Sequence, residues 1–255
     1  MSSNNFGTRG RTGNDAGIRR VAPTFGRVRI QTRHAKVQSS ITVDGHAERL
    51  TCCALNVDPS VQTYEPQPLT VDLIDGGLHY SKEAVAQARR KHAGRAGPWF
   101  YTPDHLIHWS GRTTRTALEV KDEAWQGDAD YERKLERAAE ILEFFGYEFG
   151  KVVIPCSPQA PLKRNLTLLS QAMGRERPRV VVSQVAYDLA SNSSKAWTLS
   201  SACAALGVSL QQTPWLLLDG HVGMDLVGQH MAAHTPVHLA WGDIEHLCVM
   251  RRMMQ

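Results

Sequence analysis

The chain has 255 residues, with 29 Lys and Arg against 25 Asp and Glu, a net charge of +4, and a hydrophobic content of 42%. That content suffices for a packed core, and the length allows one large domain or two small ones. No apolar run approaches the roughly 18 residues of a membrane span, and the start MSSNNFGTRGRTGND lacks the apolar core of a signal peptide, so a cytoplasmic protein with no membrane association is expected.

Residues 1–40 carry eight Lys and Arg, Arg27 and Arg29 among them, against Asp15 alone, which leaves −3 for the rest of the chain. Such a basic, Gly/Ser/Asn-rich arm is expected to be flexible and to order on a polyanion, with nucleic acid favoured over a purely solubilising role. Ala47–Val57 has helical spacing, with Leu50, Cys53, Ala54 and Val57 on one face, and Asp58-Pro59 ends it. Val61–Ile74 reads as extended chain with Gln67-Pro68 inside. A long basic stretch, Asp75–Pro98, follows; its Arg89, Arg90 and Lys91 suit either a solvated helix or a phosphate contact.

The next segment, WFYTPDHLIHWSGRTTRTALEVK, reads as two strands joined at Ser110-Gly111-Arg112, with Asp104 on the first and Glu119-Val120-Lys121 on the second. Alternation puts Glu119 and Lys121 on one face, and pairing of the strands would lay Asp104 beside Glu119. Two carboxylates and an ammonium then suit a divalent cation and phosphodiester hydrolysis. A surface hairpin with solvated charges would give the same pattern. Tyr131, Leu135, Ala138, Leu142 and Phe145 form the apolar stripe of a following helix, stopped by Gly146 and Gly150, and Lys151–Pro155 reads as a short buried strand.

Ser157–Leu162 is the expected domain boundary, followed by helices at about 162–174, 178–190 and 197–206 and then short strands. Segments holding Ser200, Ala202 and Ala204, or Gln211-Gln212, could face DNA, yet Lys195 is the only Lys or Arg between Val180 and Met250, which favours a protein-binding or structural role. Cys52, Cys53, Cys156, Cys203 and Cys248 lack metal-site spacing and are expected to be reduced and buried. His105 and His108 are read as packing or surface residues, not ligands.

The order of a helical Glu48, an Asp58-Pro59-Ser60-Val61 turn, a Gln67-Pro68 strand, Thr102-Pro103-Asp104 and Glu119-Val120-Lys121 resembles the N-terminal catalytic domain of the TnsA family, over about residues 41–157. TnsA is the endonuclease subunit of heteromeric cut-and-paste bacterial transposases. The resemblance implies an α/β, restriction-endonuclease-like PD-(D/E)xK fold: a mixed sheet flanked by helices. With the basic arm and the break at 157–162, three regions are expected: the arm (1–40), the endonuclease domain (41–157) and a mostly helical, winged-helix-like domain (158–255).

Glu48, Asp104, Glu119 and Lys121 would be catalytic. Glu48, Asp104, Glu119 and the Val120 carbonyl would hold Mg2+, with Mn2+ as a substitute, and Lys121 would orient water or stabilise charge. Glu119 matches a position that is Gln in some members. Gln67, Arg89, Arg90, Lys91, Arg27 and Arg29 are the candidate DNA contacts. The implied partners are double-stranded DNA at transposon ends, a DDE-type transposase and an AAA+ transposition ATPase, in a bacterial cytoplasm. A stand-alone nuclease of the same fold, for example in phage defence, and a non-catalytic DNA-binding assembly protein are the alternatives.

Overall fold

A computed structural model describes residues 30–32, 34–37, 41–43, 45–125, 127–177, 182–191 and 196–254. Strands β1 (Ile30–Thr32) and β2 (Ile41–Val43) pair antiparallel and lead into helix α1 (His46–Val57). Every residue of α1 from Leu50 to Val57 is buried, because the helix is covered on both sides rather than along one stripe. Pro59 prevents its continuation, the Asp58 N–H closes the last turn on Ala54 O, and Lys36 Nζ donates to the carbonyls of Leu55 and Asp58.

The expected extended segment 61–74 divides at Gln67-Pro68 into β3 (Val61–Pro66) and β4 (Thr70–Asp72). Strand β5 (Gly77–His79) folds back on β4, and the basic stretch forms α2 (Lys82–Lys91), capped by Ser81, whose side chain accepts the Ala84 N–H. The aromatic stretch expected to begin the Asp104 strand is a separate element. Strand β6 (Phe100–Tyr101) pairs with β4 in a three-stranded sheet. Proline 103 lacks an N–H and breaks the run, so Asp104 precedes β7 (His105–Trp109) rather than lying on it.

Strand β8 (Arg115–Asp122) returns antiparallel to β7. Helix α3 (Ala129–Phe144) follows, and β9 (Tyr147–Ile154) runs parallel to β8, giving a four-stranded mixed sheet in the order β3-β7-β8-β9. A helix is the usual way to join parallel neighbours. Gly146, at φ +79°, turns the chain out of α3. Gly150, expected as a stop, lies inside β9 instead; a Cβ there would come to 3.3 Å from Met254 Sδ, so the glycine serves close packing. Leu135, Ala138, Ile141 and Leu142 are buried as the stripe requires, but Phe145 is 46% exposed because it follows the last turn.

The two faces of the sheet bury different cores. Leu118, Val120, Val152 and Ile154 join α1 on one side; Ala117 and Leu106 join α3 on the other. Each fully buried Leu of this kind contributes about 1.5–3 kcal/mol. The chain continues through α4 (Pro161–Met173), α5 (Gln184–Ser191), the short β10 (Trp197–Thr198), α6 (Leu199–Ala205), α7 (Thr213–Leu218), β11 (Val222–Gly223), β12 (Pro236–Leu239) and α8 (Met250–Met253). The expected helix at 197 begins at Leu199, since Thr198 caps it from extended backbone. Strands β10, β12 and β11 form a small antiparallel sheet. Ala202 is fully buried and has no surface to offer DNA.

The α1-side core runs from Ile41 through Leu166 and Leu199 to Met253, so residues on both sides of position 157 share it. Asp58 accepts the Met250 N–H at 2.8 Å, and Met254 bridges Val152. Cys52, Cys53 and Cys203 are free and buried; Cys156 is exposed and Cys248 half-buried, against the expectation that all five are inside. Among the described residues no helix is long and apolar enough to cross a membrane.

Candidate functional site

Strand β7 has its last partner at His105–Leu118, whereas β8 continues along β9 to Asp122. Beyond Leu118 the β7 edge of β8 is open, and Asp104 closes it. Its own N–H donates to Leu118 O at 2.9 Å, and its Oδ2 accepts the Val120 N–H at 2.8 Å. In a strand the N–H and C=O of one residue leave on the same edge, so the Val120 carbonyl is directed toward Asp104 as well. Gln67 sits against the same spot in a left-handed conformation (φ 44°), its N–H donating to Asp104 O at 3.0 Å.

Glu119 and Lys121 share the α3-side face, as alternation requires, with side chains only 4% and 11% exposed and Lys121 Nζ 2.7 Å from Glu119 Oε1. Two phenols complete the pair: Tyr101 OH donates to Glu119 Oε2 at 2.7 Å, and Tyr131 OH to Oε1 at 2.5 Å. The Lys121 ammonium lies 4.2 Å from the Tyr131 ring centre and 4.9 Å from that of Trp125. Lys134 approaches the outer faces of Tyr101 and Tyr131, adding a second cation.

Glu48, half-buried in the first turn of α1, comes from the opposite face of the sheet. Asp104, at the edge, is close enough to feel both faces. Burial above all, then the charges of Glu119 and Glu48, hold its carboxyl well above the usual carboxylate range, against the Val120 N–H and Lys121. Burial, then Glu119, likewise raises both phenols, which stay protonated donors. Repulsion among these carboxylates, read from the raised Asp104, is the kind that a bound cation relieves. Behind Asp104, His105 is buried with Nδ1 unpaired, and burial lowers it to about 4.

Glu119 and Lys121 are thus in direct contact, Asp104 holds the backbones of Val120 and Gln67 beside them, and Glu48 reaches Asp104 through its charge. Arg89, Arg90 and Lys91 are exposed on α2; the Arg89 guanidinium lies 5.6 Å from the ring of Phe100, beside Tyr101. Arg27 and Arg29 lie outside the described residues. The phenols of Tyr101 and Tyr131 escape sequence reasoning, because Tyr131 reads there as one more apolar stripe position. A second group, Asp72, Asp75 and His92, brings ligand-type atoms within 4.8 Å of one another. Its charges are matched internally: Asp72 accepts from His92 at 2.7 Å, and Asp75 faces Lys91 and Arg95. That group ties the β4–β5 hairpin to the end of α2.

Neither a scan of protein-family models nor a search of curated proteins returns a match.

Proposed function

We propose that the chain is a divalent-metal-dependent DNA endonuclease of restriction-endonuclease-like architecture, acting as a TnsA-like subunit that cuts the 5′ strands at transposon ends. The observation that supports this reading most is Asp104: it closes the free edge of β8 while sensing Glu48 from one face and Glu119 and Lys121 from the other. A mixed sheet β3-β7-β8-β9 with α1 and α3 on its two faces is compatible with that reading, with β4, β5, α2 and β6 inserted between β3 and β7.

Glu48, Asp104, Glu119 and the Val120 carbonyl are the groups that would hold Mg2+, or Mn2+ in its place. A bound ion supplies Lewis acidity, activating water and offsetting charge on the phosphoryl oxygens. Lys121 presents a compact ammonium beside that position, held by Glu119, and stabilises the negative charge that develops during attack. Arg89, Arg90 and Lys91 would meet phosphates flanking the cut, contributing affinity without sequence information. The α6–α7 helices with the β10–β12–β11 sheet are read as a winged-helix-like module; its shortage of basic residues suits docking to an AAA+ ATPase or a DDE-type transposase rather than to DNA.

The test is Mg2+-dependent cleavage of transposon-end duplexes with the partner transposase present. Cleavage lost in Asp104→Ala supports the reading; equal cleavage by that variant refutes the site.

A further inference from the structure

We propose that the cleft between the C-terminal end of α1 and α7 is a binding site for a small amphipathic anion, a flat aromatic body that carries one carboxylate or phosphate. The site is separate from the one described above: Asn56 and Val57 border it, and along α1 they lie about 12 Å from Glu48. The proposal therefore stands or falls independently of the nuclease reading.

The size of the cleft limits its occupant. It encloses about 400 Å3, within the range of roughly 300–1,000 Å3 that small-molecule sites occupy. One turn of an α-helix, about 10–12 Å across, would already fill it, so a docked helix is a poor match. Val57, Trp215, Leu218, Ile244 and Leu247 make most of the wall apolar, and the half-buried Trp215 indole offers a surface on which a flat ring can pack. Lys36, Asn56, Val57 and Pro59 come from one side of position 157 and the remaining lining from the other, and seams between packed units are common places for ligands.

The rim selects the charge. Lys36, Arg175 and Arg177 line the cleft against the single carboxylate of Asp219. Arg177 is paired with Asp219, whereas Arg175 is exposed and has no ion pair among the described residues. Lys36 Nζ donates to the carbonyls of Leu55 and Asp58, which leaves one of its three N–H donors for a ligand. The Asp58 carboxylate is already engaged, Oδ1 by Ser60 and Oδ2 by the Met250 N–H. The buried Asn56 adds a neutral donor: its Nδ2 has Met173 Sδ at 3.6 Å, a weak acceptor that a ligand oxygen would improve on. An apolar slot with one aromatic wall, cations on its rim and an amide donor is the complement of a flat anion.

The experiment is calorimetric titration of the full-length protein with 1-naphthoate and with 1-naphthyl phosphate, next to the neutral 1-naphthamide, and a thermal melt with each. A Kd below about 1 mM is expected for at least one of the two anions, the tighter naming the head group, with at least tenfold weaker binding of the amide. At about tenfold above its Kd that anion should raise the Tm by roughly 3–6 °C, since it holds both sides of the seam. Arg175→Gln, on the surface and so safe for the fold, should weaken the anion by about five- to tenfold and leave the amide unchanged. Trp215→Leu should weaken all three. Absence of binding by both anions at several times about 1 mM overturns the proposal. So does an amide that binds as tightly as the anions, or an anion Kd that Arg175→Gln does not move.

Discussion

Removing the charge of Asp104 should have opposite effects with and without the ion. In the ion-free fold its carboxyl is raised by burial and by Glu119 and Glu48. Between the unfolded value and that raised value the native state holds the extra proton, so stability falls as pH rises through the window. At neutral pH Asp104→Asn should therefore raise the ion-free Tm. A cation bound as proposed would reverse this, because it would pair the charges. With Mn2+ a hundredfold above its Kd the wild type gains about 2.7 kcal/mol. For a domain of this size that corresponds to a Tm rise of roughly 5–11 °C. The assay is a thermal melt of both proteins at pH 7, with EDTA and with Mn2+. Asp104→Asn should start higher and move little. A wild-type Tm indifferent to Mn2+, or an equal rise in the variant, would refute the reasoning.

Three further outcomes are expected. Lys121→Arg should lose cleavage by about tenfold or more, because a planar, delocalised guanidinium, drawn to stack on Tyr131 and Trp125 and to fork onto Glu119, would not present the compact charge of an ammonium beside the attacking water; steady-state rates with the proposed partner transposase check this. His105, lowered to about 4 from its ordinary 6.5, makes the fold acid-sensitive: the unfolded chain takes up its proton first, so stability is intact above about 6.5 and falls toward pH 4 by on the order of 3 kcal/mol. Urea unfolding at pH 7 and 4.5 should show that loss, and His105→Phe should reduce it. His92→Ala should destabilise by about 2–4 kcal/mol, since it removes the buried partner of Asp72 and a ring packed on Phe100; a denaturation midpoint that does not move would show the hairpin is held elsewhere.

Much of the site is legible in the sequence, because short-range rules place it. Alternation alone puts Glu119 and Lys121 on one face. The helical stripe locates α3, and Asp58-Pro59 ends α1 where proline sterics demand. What the sequence conceals is long-range. Nothing local says that Phe100–Tyr101 leaves the β7 line to pair with β4, or that a tyrosine from each of two elements would meet on Glu119. Gly150 reads as a terminator until Met254 is seen packed against it from the far end of the chain. The shared core on both sides of position 157 is hidden for the same reason: helical periodicity shows that a face is apolar, not what covers it.

The most direct measurement is cleavage of a transposon-end duplex by wild type and Asp104→Ala, with Mg2+ and the partner transposase, mapping the cut strand. Nicking of the 5′ strand by the wild type, abolished in the variant and by EDTA, is the expected result. Undiminished cleavage by Asp104→Ala, or wild-type cleavage that persists in EDTA, would contradict the account.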